Sequence, residues 1–580
     1  MQDANNVKTI AVIAGNISNE FCRDLVEGIR NAIPPTGGIN IAVLPGDVLI
    51  RGKRTENNWQ YDAMFNGIYS LGYQCKPDGL IVFGGSMGWI VEEKDFKEFL
   101  DSFGDIPKVV LTSTIEDQIT VNYDNESGIK EAIDYLVNAN GFTKICMLGG
   151  VETNPDAVKR KEVFIKCLEE NGLPFREEFY EPTNMSTHTE EQAEKLLNNN
   201  PRVEAVFCVN DTSAVGLYNV MKSRELIPGE DIMVFGFDNT RMSSEMVPSL
   251  SSVGADDVTL GKKAVQLLID MMNGKEVESA LVKTRLYGRR SLPYEMYQYT
   301  NRELLEVNET FIYRMFDDCF YRYKAASIKS SAVNLRRLYF EFISKILQAY
   351  KNRYMPYEDY EEIQRMIDVF FANGAMEYTD AEKLIDCTNR LQNAINVIQK
   401  SPAVISMINS LFIRMRDECI RQICRTNTTQ RNSSFSNIKR MREHLVIGMD
   451  YAGDREKVLT AYIKNLSLEG IENGSLFMFE KPIEREDYEI VTYPEELFLK
   501  CIIKDGDVYL TPPDRQRKKT KDLLRLSFDQ SRLESIAVFP VFYERITYGL
   551  LLCELNDKAY NMGGLIASSI GINMRLLLET

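Results

Sequence analysis

The chain has 580 residues, too many for one hydrophobic core, and at about 100–200 residues per domain it should hold several. Its hydrophobic and charged shares, 44% and 26%, exclude a disordered or fibrous chain. A formal net charge of -16 at pH 7 opposes non-specific attraction to nucleic acid or an anionic membrane, so DNA is not expected as a partner of this chain by itself.

The opening stretch MQDANNVKTIAVIAG has no basic region followed by a long apolar one, as a secretion signal would. No run reaches the roughly 18 apolar residues of a membrane span. A cytoplasmic protein without a membrane segment is expected. The 11 cysteines are scattered without C-x-x-C pairs and read as reduced apolar fillers, with no disulfide framework and no metal site.

From Thr9 onward, short apolar runs alternate with longer amphipathic segments: TIAVIAG, NEFCRDLVEGIRNAI, INIAVLPG, DGLIVFGG, PKVVLTS, a helix over about 126–138, KICMLGG, a helix over 158–171, EAVFCVN, a helix over 214–223, and DIMVFGF. This βαβ rhythm predicts two parallel sheets. Ligands of such sheets bind beyond the carboxyl ends of the strands, so the turns at 14–19, 84–86, 150–156, 210–212 and 237–240 should converge on a site.

The segments AVFCVNDTSAVGLYNVMKSRELIPGEDIMVFGFDNT (205–240) and VPSLSSVGADDVTLGKKAVQLLIDMMNG (247–274) carry a resemblance to the ligand-binding core of the LacI/GalR family. So do NISNEFCRDLVEGI, PDGLIVFG and VNYDNESGIKEAIDYL. The resemblance covers about half the chain and implies a two-lobed periplasmic-binding-protein-like type I α/β domain over 7–300, crossed by three strands that return near Ser252 and Leu286. It also implies a small-molecule site built from Asn16, Phe21 and Cys22 on the first turn, Asn154, Asp156 and Arg160 on the far lobe, and Asn210, Asp211 and Asp238 at two late strand ends. A sugar-like ligand would use Arg160 as a forked donor, Asp238 as an acceptor and Phe21 as an apolar face. Against these roles stand ordinary ones: a solvated arginine, a turn-forming aspartate and a core phenylalanine.

Two departures weaken sugar as the ligand class. Met185 stands where many relatives place a stacking aromatic, and Val163 where they have glycine. Of the two tryptophans, Trp59 falls in a segment after the second strand and Trp89 in the turn after DGLIVFGG, a place that fits a residue near the cleft but also one away from it. Only eight or nine residues precede the first strand, leaving no room for the family's helix-turn-helix. The core is therefore expected to drive an output other than its own DNA-reading head.

From Glu303 to Arg425 apolar residues recur at helical spacing (Val307, Phe311, Met315; Leu335, Leu338, Phe342, Ile346; Leu384, Leu391, Ile395, Ile398), which predicts three or four helices with breaks at Pro356, Gly374 and Pro402. Either a plain bundle or a homodimer-forming signalling stalk fits. The polar tract TNTTQRNSSFS (426–436) reads as a linker. Over 437–580, two helical segments, the strands GSLFMF, YEIVTY, LFLKCII and DVYLTPP, a strand pair joined at 543–547 and a closing helix from about Gly563 resemble a GAF-type α/β domain, read as a relay. RQRKKTK (515–521) reads as a solvated loop.

No cofactor is expected and no catalytic residue is identified. The two histidines, His188 and His444, sit in different domains, and phosphate-loop, nucleophile-elbow and GGDEF motifs are missing, so the chain reads as a non-enzyme. The closing apolar helix has no glycine cap, which suggests continuation into an output domain. Three functions stay open: a ligand sensor that signals through stalk and relay, a transcriptional regulator acting on DNA directly or through a partner, and the sensory portion of a diguanylate cyclase whose catalytic domain lies outside this chain.

Overall fold

Central strands of a parallel sheet are buried on both faces and are therefore apolar without alternation. β1 (Lys8–Ala14) shows this, being fully enclosed from Ile10 to Ala14. The computed structural model describes residues 7–33, 38–50, 63–88, 91–255, 257–292, 299–323, 333–398, 401–449, 455–466, 470–485, 491–525 and 535–579. Trp59 and Trp89 lie outside the described residues.

Around β1 stand β2 (Ile39–Pro45), β3 (Gly79–Phe83), β4 (Lys108–Leu111) and β5 (Thr120–Asp124), all parallel, which make the first lobe. β6 (Ile145–Gly149), β7 (Tyr180–Pro182), β8 (Ala205–Cys208), β9 (Met233–Phe237) and β10 (Ser251–Gly254) belong to the second. β11 (Ala280–Lys283) returns to pair with β5, and β12 (Arg285–Tyr287) closes the second sheet beside β10, giving the order β12-β10-β9-β8-β6-β7. The chain thus crosses between the lobes after Asp124, after Gly254 and at Thr284.

The crossings are tied together. Thr284 Oγ1 donates to the Asp124 carbonyl at 2.6 Å and accepts from the Gly128 amide at 3.0 Å. A Cβ on Gly128 would lie 2.4 Å from Val253 Cγ1, so the helix Asn125–Asn138 can approach β10 only with glycine there.

The C-terminal strands are β13 (Gly474–Glu484), β14 (Glu496–Lys504), β15 (Asp507–Leu510), β16 (Arg517–Lys519), β17 (Ser535–Tyr543) and β18 (Ile546–Glu554). They pair antiparallel among themselves, but β17 also pairs in parallel with β2, Ile536 opposite Ala42. The first-lobe sheet therefore continues into the C-terminal strands as one 12-stranded sheet. One apolar cluster, from Ile10 through Leu44 to Val538 and Leu551, runs beneath it. The last helix, Asp557–Glu579, lies so close to β17 that a Cβ on Gly571 would fall 1.9 Å from the Phe542 carbonyl oxygen. Its Tyr560 hydroxyl donates to Glu27 on the first-lobe helix Glu20–Ala32 at 2.9 Å, and Asp557 pairs with Arg23 of the same helix.

The chain divides into two units: residues 1–241, 252–287 and 437–580, and residues 242–251 with 288–436. The second is helical. Glu309–Cys319, Leu335–Asn352, Tyr357–Ala372, Ala381–Ile398 and the start of Pro402–Met449 enclose Phe316, Phe342, Ile346, Ile367, Phe370, Leu391 and Leu411. Aromatic rings meet edge to face there, Phe320 on Phe370 at 5.1 Å and Tyr339 on Phe342 at 5.2 Å. Buried Arg289 holds residues 242–251 in this unit, donating to the Leu250 carbonyl at 2.8 Å and to Ser243 Oγ at 3.2 Å. Its Nε lies 3.9 Å from Asp380, which also accepts from Tyr321 Oη at 3.2 Å.

Three sequence expectations change. The tract 426–436 is not a linker but part of the 48-residue helix Pro402–Met449, because no glycine or proline interrupts residues 403–447. YEIVTY does not form a strand over Val491–Tyr493, and its first three residues lie outside the described residues. RQRKKTK is not wholly a loop, since Arg517–Lys519 pairs with β14.

Candidate functional site

The helix Pro155–Glu170 starts at Asn154, whose side chain accepts from the Ala157 amide at 2.9 Å, with proline in the first turn. This start leaves Asp156 half-buried and turns Arg160, one turn on, into the interior at 4% exposure. A buried guanidinium must spend its donors on partners. Arg160 does so in three directions: Nε to Asn125 Oδ1 at 3.1 Å, Nη1 to the Val209 carbonyl at 2.8 Å and Nη2 to Asp238 Oδ1 at 3.2 Å. Its plane covers the Phe237 ring, 3.5 Å from the centroid.

Asp238 follows β9 with φ of 96°, a conformation rare for a residue with a side chain and characteristic of constrained functional turns. The turn is pinned from both sides: the Asp238 amide donates to Val253 O at 2.8 Å and the Asn239 amide to Ser252 Oγ at 2.9 Å. Loss of solvent raises the Asp238 pKa above the usual carboxylate value; Arg160 opposes the rise and Asp156 adds to it. Asp156 accepts from Asn122 and Asn125 side chains at 3.3 and 3.2 Å, which links the second lobe to the end of β5 in the first.

Asn210 caps the helix Asp211–Ser223 through the Ser213 amide at 2.9 Å and donates to the Met185 carbonyl at 3.3 Å. Met185, with φ of 60°, sets its thioether over Gly150, where a Cβ would meet the sulfur at 2.8 Å. In the second lobe, Asp156 and Arg160 meet through Asn125, and Arg160 meets Asp238, while Asn154 and Asn210 cap the helices that follow their turns. Asn16, Phe21 and Cys22 belong to the first lobe. Asn16 is exposed and accepts from Ser18, and Phe21 is half-buried in the first helical turn.

Two expected ligand contacts have other duties. Asp211 is fully enclosed, and its oxygens accept from Thr240 N at 2.8 Å, Thr240 Oγ1 at 2.9 Å and Ser252 Oγ at 2.6 Å, so it supports the Asp238 turn from below. Cys22, 1% exposed, faces the first-lobe core. The residues that sequence reasoning missed are Asn122, Asn125 and Phe237. Asn125 follows an N-capping aspartate, a context that disguises a side chain aimed at Arg160. The described residues hold no cluster of metal-binding side chains and no helix long and apolar enough to cross a membrane.

Two α/β lobes with three crossings and a polar, arginine-centred set of strand-end turns define a two-lobed ligand-binding domain of the periplasmic-binding-protein-like type. A family model described as a periplasmic binding protein-like domain matches residues 133–292. Catabolite control protein A of Priestia megaterium is 30% identical over 280 residues, 47% of this chain and 78% of that protein. The HTH-type transcriptional repressor PurR of Vibrio vulnificus is 27% identical over 275 residues, 47% of this chain and 77% of that protein. Among solved structures, a dimeric lac repressor aligns at 20% identity with a TM-score of 0.40, covering 49% of this chain and 98% of that one. The chain belongs to the LacI/GalR family, through the half of its length that forms the two lobes. Its curated relatives are transcription regulators.

Proposed function

We propose that this protein senses a small polar molecule, with a carbohydrate favoured, held between the lobes by Arg160, Asp238, Asp156, Asn154 and Asn210 on one side and Asn16 and Phe21 on the other. The observation that carries this reading is the Arg160 fork, buried yet spread over Asn125, Val209 and Asp238 beside a half-exposed acceptor. The fork holds Asp238 in place, and the partly open Asp238 and Asp156 carboxylates offer acceptors that suit hydroxyl groups, with the Phe237 ring packed against the guanidinium. A ligand shifts the lobes only by its differential affinity for open and closed states, so contacts from both lobes are needed.

Closure is relayed through the helical unit, acting as a homodimeric stalk, to the GAF-like C-terminal domain. The continuity of β2 with β17 supports a relay in which the first lobe and that domain move as one body while the second lobe swings. The test is binding with Arg160→Ala and Arg160→Lys. Alanine should weaken affinity by about 1–3 kcal/mol, and lysine should fail to restore it, because a point charge cannot reproduce the fork. Unchanged affinity in both contradicts the site.

A second reading, a regulator acting on DNA itself or through a partner, is favoured by the names of the relatives. Retention on DNA at low salt, where phosphate contacts are strongest, supports it, and no retention there argues against it.

A further inference from the structure

The run RQRKKTK (515–521) holds five cations and no acid in a chain whose net charge is -16, and the ligand site makes no use of it. Strand pairing sorts these charges by face. Successive side chains of a strand point to opposite sides, and residues directly opposite on neighbouring strands share a side. Leu497, Leu499, Cys501 and Ile503 of β14 are buried, so Phe498, Lys500, Ile502 and Lys504 make the other, open face. Tyr509 of β15 stands opposite Ile502, and Arg517 and Lys519 of β16 stand opposite Phe498 and Glu496, all on that face. β14, β15 and β16 lie at the opposite end of the 12-stranded sheet from β11.

Tyr509 is 57% exposed and Ile502 36%; Lys504, Arg517 and Lys519 are exposed, and Phe498 and Lys500 half-buried. Among the described residues Lys504 and Lys519 form no ion pair. Lys500 Nζ donates to Gln516 Oε1 at 2.9 Å, and Arg517 lies 3.5 Å from Glu496. Asp507, opposite Lys504, is the other acid on the face. Lys500, Lys504, Arg517 and Lys519 against Glu496 and Asp507 leave it positive. Lys500 and Arg517 both reach over the Phe498 ring, 5.6 and 5.8 Å from its centroid, so ring and cation are presented together. Along β14, apolar and cationic side chains alternate at about 7 Å, the rise of two residues.

We propose that this face binds single-stranded nucleic acid. A stretched single strand offers base and phosphate by turns; aromatic side chains take the bases by stacking, whatever the sequence, while lysine and arginine take the backbone. Phe498 and Tyr509 are the platforms, about 13 Å apart along the strands because Tyr509 is level with Ile502, four residues on. Lys500, Lys504, Arg517 and Lys519 are the backbone contacts. A duplex would meet the same charges but hides its base faces in the stack, leaving the rings without a partner. An anionic membrane would leave the alternation unused, since cations interrupt the apolar side chains that would have to enter it together. The inference goes beyond both readings above: it needs no ligand between the lobes and no duplex DNA.

The test is fluorescence anisotropy of the full chain with labelled oligouridylate and oligothymidylate, beside a DNA duplex of the same length and vesicles of phosphatidylserine and phosphatidylcholine. At least one single strand should bind at low salt, more tightly than the duplex, and the tighter of the two identifies RNA or DNA as the partner. Tyr509→Ala, at an exposed position that tolerates replacement, should weaken binding about five-fold or more at every salt concentration through the lost stacking. Lys504→Gln with Lys519→Gln should instead flatten the slope of log affinity against log salt by about 1.4, at ~0.7 for each phosphate contact on a single strand. Arg160→Ala should leave binding unchanged, which separates this surface from the ligand site. Absence of single-strand binding by the unaltered chain at low salt, or a slope that the lysine changes do not move, overturns the proposal. Preference for the vesicles overturns it too, and preference for the duplex overturns it while leaving the DNA-acting reading in place.

Discussion

Arg160 and Asp238 sit 3.2 Å apart, the arginine buried and the carboxylate with 28% of its side chain open, and this asymmetry gives the pair a pH signature. The folded Asp238 pKa is raised, so between the ordinary carboxylate value and that raised value the native state holds more proton than the unfolded one. Its contribution to stability is therefore favourable below this window and is lost as pH rises through it. Ligand binding runs the other way, because a protonated Asp238 loses the charge that pairs with Arg160 and that strengthens the hydrogen bonds it accepts from hydroxyls. Affinity should fall on acidification with a midpoint above that of a free aspartate, and Asp238→Asn should flatten the titration measured by calorimetry; an unchanged titration in that variant removes Asp238 from the site. Asp238 and Arg160 were legible because motifs flank them. Asp211 misleads, since an acidic residue at a helix start looks the same whether it faces a ligand or, as here, props up Thr240 and Ser252.

β2 would be an unprotected edge of the first-lobe sheet without β17, and an open apolar edge invites pairing between chains. Removal of residues 437–580 should expose both that edge and the apolar cluster shared with Val538 and Leu551, so the shortened chain should sediment as oligomers or aggregates while the full chain stays dispersed. A dispersed, ligand-competent shortened chain would show that the strand pairing contributes little. Most central strands were readable on their own as apolar runs, and the returning crossings near Ser252 and Leu286 lie within a few residues of Gly254 and Thr284, whereas YEIVTY forms no strand over Val491–Tyr493 and the charged run Arg517–Lys519 does. The pairing of β2 with β17 was not readable, because it joins segments far apart in sequence and no local pattern records it. The long helix Pro402–Met449 was hidden for the converse reason: its polar composition resembles a linker, although nothing in it breaks a helix.

At the scale of the molecule, the helical unit was separable from the strands by its periodicity, whereas the joining of the C-terminal strands to the first lobe and the way residues 242–251 leave the lobes for the helical unit were not. That segment follows the Asp238 turn in sequence and is held by Arg289 within the helical unit. Everything in this account depends on the Arg160 site taking a ligand. The most direct measurement is thermal denaturation of the full chain over a panel of monosaccharides, oligosaccharides, nucleobases and polyols, in parallel with Arg160→Ala. A ligand at 100 times its dissociation constant stabilises by about 2.7 kcal/mol. The account predicts that at least one carbohydrate raises the melting temperature of the wild type and leaves that of Arg160→Ala unmoved; a flat response across the panel, or an equal shift in both proteins, contradicts it.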